Sequence, residues 1–357
     1  MFVLPGTLGG RLGWPSLIAW ALAAALIGAI VLCFAEVASR FSGTGGAYLF
    51  TRATFGPFVG LQIGWMSYFV RIITAAVQAN VFTTYLAEYW PWAGTRAGGA
   101  AVTAGFLGLL AAVNIRGVLS GARLSNAIAL VKIAPLLALG ALGLLWIGGH
   151  PAPHHTPSDP TVGSWLEVLL LLMFAYGGFE SAMIPLAEAR NPRRDAPIAL
   201  LCGLGLAAAV YLTAQLAVLA TVSDPGAGSR PLAAAARVVL GGPGAAILTM
   251  AALISVYGWL SSNMLAVPRL SMALADTGDF PGFFSRVHSR FRTPWVSILV
   301  FAALSWVLAN LAGLLQNLGL AAVSRLFTYG LVCGALPVLR RRERQAGSGI
   351  PPAQFRV

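Results

Sequence analysis

The amino-acid sequence predicts an all-α protein that is integral to a membrane, and two properties of the chain carry this prediction. The 357 residues are 58% hydrophobic and only 10% charged, with a mean hydropathy of +0.79. Soluble globular domains carry about 25% charged residues, so the composition excludes that class. The apolar residues also fall in long stretches, and a helix needs roughly 20 of them to cross the hydrocarbon core.

Nine such stretches follow one another along the chain. They are residues 15–38, 57–87, 98–115, 124–147, 164–188, 197–221, 245–275, 294–311 and 318–339. The stretches 57–87 and 245–275 are longer than an upright crossing requires, so we expect both helices to be tilted.

The arginines divide unevenly between the two sets of loops that nine alternating crossings create. Fifteen lie in the loops 39–56, 116–123, 189–196 and 276–293 and in the C-terminal tail, whereas four lie on the other side. The positive-inside rule therefore predicts that the first set is cytoplasmic. The net charge of +12 thus reflects membrane topology and contact with membrane lipid, and it does not indicate a nucleic-acid partner.

Four basic residues lie within the crossings, where a charge costs at least about 2.5 kcal/mol and so indicates a function. They are Arg71, Lys132, Arg269 and Arg325. Lys132 is the only lysine of the chain, and a desolvated lysine loses its proton where an arginine does not. Lys132 therefore suits a proton-coupling role, although its side chain could instead extend to the cytoplasmic interface.

The arginines within the crossings leave more than one interpretation. Arg71 either faces a vestibule that admits carboxylates or pairs with an acid such as Glu167 or Glu180, and the sequence does not decide between these. Arg269 and Arg325 lie within reach of an interface, so we expect structural roles for both.

The cysteines and histidines indicate neither a metal site nor a cofactor. Cys33, Cys202 and Cys333 lie in apolar crossings and are interpreted as small hydrophobic side chains. All four histidines fall in loops and the acids are scattered along the chain. The convergent groups that an intramembrane enzyme needs are missing from this pattern, so we expect no enzymatic activity.

The stretch FAYGGFE, residues 174–180, interrupts the crossing 164–188. Glycine costs about 1 kcal/mol relative to alanine inside a helix, and non-helical backbone at membrane depth is tolerated only inside protein or beside a cavity. Gly177 and Gly178 therefore predict a broken helix whose freed carbonyls accept from an ammonium group, although tight helix packing would also explain the pair. A second series, Gly56, Gly60 and Gly64, predicts a close helix–helix contact.

A broken helix at the membrane midplane is typical of transporters built from two inverted repeats, each of which contributes one such helix. Five crossings per repeat fit the sequence. We expect one transmembrane domain over residues 1–357, with helices 1b–5 in residues 1–147, helices 6–10 in residues 164–339 and a cytoplasmic tail in residues 340–357. The first broken helix would fall at MFVLPG, so the chain would begin inside it.

Four motifs resemble the amino acid–polyamine–organocation (APC) permeases, and they span nearly the whole chain. MFVLPG is similar to the end of the family's GSGIFxLPG stretch, and residues 35–65 are similar to its loop between helices 2 and 3. FAYGGFE with EARNPRRDAP (188–197) resembles the break in helix 6 and the motif after it. PRLSMALADTGDFP (268–281) resembles the end of helix 8. The resemblance implies a LeuT-type fold of 5+5 inverted repeats.

The resemblance also implies roles for individual residues. The implied substrate-binding positions are Phe174 as a lid, Ala175, Tyr176, Gly177 and Gly178 through main-chain carbonyls, and Trp259 and Asn263 from helix 8. Glu180 matches an acid that acts in gating or proton sensing, and Lys132 matches a helix 5 lysine that links protonation to opening in sodium-independent members. The family's GSG segment and helices 11–12 have no counterpart, so we expect a permease truncated at both ends that lacks the first half of helix 1.

We therefore expect a secondary active transporter of amino acids, multi-pass in the bacterial cytoplasmic (inner) membrane, that works by alternating access as a proton symporter. An amino acid/amine exchanger and a non-transporting permease fragment or sensor are the alternatives. The expected partners are a small-molecule amino acid, the proton and membrane lipid, without a cofactor. The aromatic residues Phe174, Tyr176 and Trp259, with Glu180 as the one acid nearby in the motif, favour a neutral amino acid.

Overall fold

The computed structural model describes residues 2–42, 46–117, 122–151, 153, 161–183, 190–276, 278–345 and 352–356. These residues form eleven α-helices and contain no β-strand. The helices are α1 Leu4–Leu12, α2 Ser16–Ala38, α3 Ala47–Phe55, α4 Pro57–Leu86, α5 Arg96–Ile115, α6 Ala122–Gly149, α7 Val162–Tyr176, α8 Pro192–Thr221, α9 Pro231–Asp276, α10 Trp295–Leu311 and α11 Leu314–Glu343.

Nine of the described helices are apolar, and each overlaps one of the nine predicted crossings. Seven are long and apolar enough to span a membrane, whereas α7 and α10 are shorter, at 15 and 17 residues. Large apolar side chains on these helices are exposed, for example Phe58 at 72%, Leu145 at 74% and Leu311 at 78%. Helices that are apolar on every side suit a lipid environment, so the predicted all-α, multi-pass membrane class is confirmed.

Three helical segments lie outside the predicted crossings. Helices α1 and α3 have nine residues each, too few to span a membrane. Helix α9 begins at Pro231 rather than at the predicted residue 245, but its backbone turns at Gly241, where φ is 69° and ψ is −158°. Glycine reaches positive φ without a Cβ clash. The additional part of α9 is therefore a separate leading segment.

Helix α3 folds back onto α4. It ends at Gly56, whose φ is 93°, and a Cβ on Gly60 would lie 2.6 Å from the Cβ of Arg52. The close helix contact predicted for this glycine series is therefore confirmed at Gly60. Gly56 lies in the turn between the two helices.

The chain forms two compact units, each assembled from three separated stretches. The first unit contains Met1–Leu17, Arg71–Leu166 and Val210–Leu320, and the second contains Ile18–Val70, Glu167–Ala209 and Ala321–Val357. Each unit draws on both halves of the chain, so the units do not coincide with the two predicted repeats. The repeat symmetry stays a prediction.

In the first unit, helix α6 packs closely on α8. A Cβ on Gly140 would lie 2.6 Å from the Cβ of Thr213, and one on Gly143 would lie 2.6 Å from the Cα of Ala217. Small residues at a helix crossing let two backbones approach, which is a common basis of helix association in lipid. This contact fixes α6, the helix that carries Lys132.

Helix α1 is held in the first unit through its side chains and its backbone. Leu4, Leu8 and Leu12 lie on one side of the helix and are at most 2% exposed. The Gln215 side-chain amide donates a hydrogen bond to the Pro5 carbonyl at 3.1 Å. This bond satisfies a backbone group that lies in the first turn of α1 and is buried in apolar surroundings.

In the second unit, five charged side chains form a network at one end of α2 and α11, which we call the terminal charge cluster. Its members are Glu36, Arg40, Arg340, Glu343 and Arg356. Glu36 lies 3.0 Å from Arg40 and 2.5 Å from Arg340, and Glu343 lies 2.9 Å from Arg40 and 2.6 Å from Arg356. Each acid is thus paired with two arginines, and this pairing offsets the desolvation of the buried charges.

Candidate functional site

Helix α7 is interrupted at the glycine pair. The helix ends at Tyr176, Gly178 has a φ of 111°, and a 3₁₀ turn follows over Phe179–Met183. The Gly177 N–H donates to the carbonyls of Met173 at 3.1 Å and of Phe174 at 3.2 Å, so the last turn closes before the chain changes direction. The predicted interruption at the glycine pair is therefore confirmed, whereas residues 184–188, in the second half of the predicted broken helix, lie outside the described residues. We call residues 174–180 the α7 joint.

The Glu180 carboxylate accepts hydrogen bonds from two elements of the second unit. The Gly178 N–H donates to Oε2 at 2.8 Å, and the Tyr329 hydroxyl of α11 donates to the same oxygen at 3.1 Å. The Nε of Arg325, also on α11, lies 3.5 Å from Oε1. Glu180 thus connects the α7 joint with α11.

Aromatic rings surround this acid. Phe179 stacks on Tyr329 with ring centroids 5.2 Å apart, and Phe34 of α2 meets both rings edge-on at 5.1 and 5.7 Å. Such pairs add about 0.5–1.5 kcal/mol beyond the burial of their area. They hold the 3₁₀ turn after the joint against α2 and α11.

The two predicted aromatic side chains of the joint pack against neighbours in the second unit. Tyr176 is 5% exposed, and its hydroxyl donates to the Trp20 carbonyl at 3.2 Å, with the two rings edge-on at 5.6 Å. Phe174 is 8% exposed and its ring lies under a guanidinium, with Arg325 Cζ 5.0 Å from its centroid. The substrate contacts of Phe174, Ala175, Tyr176, Gly177 and Gly178 stay predictions.

Arg325 lies at the α7 joint. The sequence placed this side chain within reach of an interface and predicted a structural role; the residue is 6% exposed. Its Nη1 donates to the Phe174 carbonyl at 2.9 Å, and a Cβ on Gly177 would lie 2.8 Å from its Cζ. The guanidinium therefore finds an acceptor, an aromatic face and an acid within the protein.

One feature of the sequence is consistent with the contacts of Arg325 and Tyr329 at the α7 joint. Arg325 and Tyr329 are four residues apart, which places them on the same face of α11. Tyr329 is 1% exposed, so that face points into the second unit. The spacing alone could not identify which acid or carbonyl the two side chains would meet.

The remaining predicted residues belong to the first unit, where two of them lie together. Asn263 on α9 is 7% exposed; its side-chain amide donates to the Trp259 carbonyl at 2.9 Å, and its oxygen accepts from Arg71 at 2.9 Å. Trp259 is half-buried one turn earlier. The sequence did not identify the partner of Arg71. In the structure this arginine donates to the side-chain amide oxygen of Asn263, a residue predicted to bind substrate.

Lys132 is half-buried on α6. Its helix packs against α9, the helix that carries Trp259 and Asn263. The coupling role of Lys132 and the gating role of Glu180 stay predictions, as does the assembly of residues from both units into one substrate site.

Metal-binding groups do not converge in the described ranges. Over those residues, no group of three His, Cys, Asp or Glu side chains could hold a metal ion. The three cysteines carry free thiols.

Known proteins resemble this chain over almost its full length. A family model described as amino acid permease matches residues 2–355. The serine/threonine exchanger SteT of Bacillus subtilis (strain 168) is 26% identical over 342 residues, which cover 92% of this chain and 76% of that protein. The methylthioribose transporter of the same organism is 26% identical over 389 residues, covering 100% and 79%.

A mammalian relative extends the comparison. Cationic amino acid transporter 4 of Mus musculus is 27% identical over 361 residues, which cover 95% of this chain and 56% of that protein. These relatives carry different substrates in their names but share one class of activity. Together with the apolar helices and the family match, they identify the chain as a member of the amino acid permease family and as a multi-pass membrane transporter of a small molecule.

Proposed function

We propose that this protein is a secondary active transporter that carries amino acids across the bacterial cytoplasmic membrane by proton symport. The observation that carries the proposal is the interrupted helix α7, which ends at Tyr176 and resumes as a 3₁₀ turn at Phe179. Other transporters bind the charged groups of small substrates at breaks of this kind.

In this proposal the substrate's ammonium group meets main-chain carbonyls between Ala175 and Gly178. Asn263 and Trp259 of α9, in the first unit, stay the further substrate-binding positions that the family resemblance implies. Alternating access then requires the helices that carry the break to move relative to the remaining helices, so the protein opens to one side of the membrane at a time.

Proton coupling is assigned to Lys132. It is the one lysine among twenty-three basic residues, and it is half-buried in an apolar helix. Desolvation favours the neutral form of a lysine and not that of an arginine. Lys132 therefore offers a proton site whose occupancy depends on access to either side of the membrane.

The test uses purified protein in lipid vesicles with an imposed pH gradient. The wild type should accumulate a labelled amino acid, and Lys132→Ala should lose accumulation while it still exchanges internal for external substrate. Lys132→Arg is the matched control: it keeps the positive charge but cannot release a proton, so it should lose accumulation too. Undiminished accumulation by both variants contradicts the coupling proposal.

An exchanger that needs no proton is the second candidate, and one observation favours it. The relative SteT is named as a serine/threonine exchanger. An exchanger moves labelled substrate only into vesicles that already contain unlabelled substrate, whereas a symporter also fills empty vesicles under a pH gradient. Uptake into empty vesicles therefore separates the two candidates in a single measurement.

A further inference from the structure

The positively charged guanidinium of Arg325 lies at the α7 joint. The Phe174 carbonyl lies at the end of α7, and Arg325 donates to it at 2.9 Å. Gly177 leaves open the space beside this carbonyl, and the guanidinium fills it, since a Cβ there would lie 2.8 Å from Arg325 Cζ and 2.9 Å from Cδ. A positively charged substrate side chain at the Phe174 carbonyl would meet this like charge, whereas the ammonium group that every amino acid carries is proposed to bind at the carbonyls from Ala175 to Gly178.

The acid of the joint is compensated by the same side chain. Arg325 Nε lies 3.5 Å from Glu180 Oε1, and the two side chains are 7% and 15% exposed. An isolated carboxylate in such surroundings would strongly attract a cationic group, because the interaction of charges grows as the local dielectric falls. With Arg325 beside it, the pair carries no net charge.

We propose that Arg325 is a specificity-determining residue, which closes the α7 joint to amino acids with a positively charged side chain and leaves it open to uncharged ones. This inference rests on the proposed function, since it requires that amino acids bind at the joint. It assigns substrate selection to a residue of α11, outside the glycine motif.

Arg325 also retains the capacity to bind a substrate. Its buried Nε forms the 3.5 Å ion pair with Glu180 but makes no hydrogen bond with any residue that the structure describes. A guanidinium has five N–H donors in a fixed planar arrangement. A buried donor without a hydrogen bond can be satisfied by a hydroxyl or carboxylate oxygen of the substrate, so the same side chain that rejects cations can favour polar uncharged amino acids.

The test compares uptake of labelled L-alanine, L-serine, L-lysine and L-arginine by protein in lipid vesicles. The wild type should take up the cationic pair at least about tenfold less well than the better uncharged amino acid. Arg325→Gln should reduce that ratio at least about tenfold, because it removes the positive charge beside Glu180. Arg325→Lys retains the charge and should retain the wild-type preference.

Arg269→Gln is the matched control. Arg269 also lies within an apolar helix, but it is exposed and its side chain donates to the Leu265 carbonyl of its own helix at 3.3 Å. This variant should leave the preference unchanged. An unaltered preference in Arg325→Gln, or a wild type that takes up lysine as well as alanine, overturns the inference.

A second variant keeps the inference testable if Arg325→Gln does not fold, as judged by gel filtration. Glu180→Gln leaves the guanidinium uncompensated, so binding of L-aspartate relative to L-lysine should rise at least about tenfold; an unchanged ratio overturns the inference. A wild type that transports no amino acid contradicts the proposed function itself. Equal transport of uncharged and cationic amino acids contradicts the inference alone.

Discussion

Two acids of the second unit meet arginines of the same helix, α11, but the two pairs differ in geometry. Glu36 accepts from both Nε and Nη2 of Arg340, at 2.8 and 2.5 Å, and it also pairs with Arg40. Glu180 lies 3.5 Å from Nε of Arg325 and has its hydrogen bonds from Tyr329 and Gly178 instead. A bidentate pair holds two helices in one register, whereas a single long contact can rearrange without the loss of several bonds.

We interpret the ion pairs of Glu36 as structural and propose a functional role for the pair of Glu180 and Arg325. The terminal charge cluster joins α2 to α11 with short, reciprocal contacts, and its central side chains, Glu36 and Arg40, are fully buried. The pair at the α7 joint shares its acid with a backbone N–H and a phenol. Variants at the cluster should therefore change stability most, and variants at the joint should change transport most.

The largest effect is expected from Glu36→Gln. This change leaves Arg40 and Arg340 without their shared carboxylate, and removal of one partner from a buried ion pair costs about 3–5 kcal/mol. Thermal unfolding in detergent should show a large fall in the midpoint. Glu88→Gln is the matched control, because Glu88 pairs with Arg230 and Arg237 at a partly exposed position and such pairs contribute about 0–1 kcal/mol.

Equal losses from the two variants would contradict this reading of the cluster. They would mean that the ion pairs of buried Glu36 contribute no more to the free energy of unfolding than those of Glu88.

A smaller loss is expected from Gly178→Ala. Gly178 has a φ of 111° and no heavy atom within 4 Å of a Cβ, so the cost comes from the backbone alone, about 1–3 kcal/mol for a side chain in such a conformation. The control, Gly203→Ala, lies in the exposed part of α8 with equally open space. It should stabilise the helix slightly, by up to about 1 kcal/mol.

Opposite signs for these two alanine variants would support strain at the joint. Equal and small effects on the unfolding midpoint would instead show that the joint adopts alternative backbone conformations with little cost.

The smallest loss of stability is expected from Tyr329→Phe. The change removes the hydroxyl that donates to Glu180 at 3.1 Å and keeps the ring that stacks on Phe179, so it should cost about 1 kcal/mol. Transport should change more than stability, because Glu180 loses one of the groups that orient it. Tyr257→Phe is the control, because Tyr257 is an exposed tyrosine of α9 (42%), and it should alter neither property. If Tyr329→Phe lowers stability without a change in transport, the role of Tyr329 is purely structural.

Much of the fold was predictable because crossing a bilayer imposes a length and an apolar composition that single sequences display directly. All nine predicted crossings correspond to apolar helices, and the break at Gly177 and Gly178 follows from the cost of glycine in a helix. Helix α3 was missed because nine residues of mixed polarity between two crossings resemble a loop.

The contacts of the site were less predictable, because they join residues far apart in the chain. Arg325 and Phe174 are separated by 151 positions, and Arg340 and Glu36 by 304. Counting arginines by loop predicted which side of the membrane they face, but this count contains no information about their partners. The same limit applies to Arg71, whose amide partner on α9 lies 192 positions away.

The presence of a single lysine at position 132 has a chemical consequence for this transporter. Reagents that acylate primary amines find one side-chain target, on the half-buried face of α6. The protein therefore carries a natural site for selective covalent labelling. The rate of that labelling would report how freely water and small reagents reach the middle of the helix, without any residue being replaced.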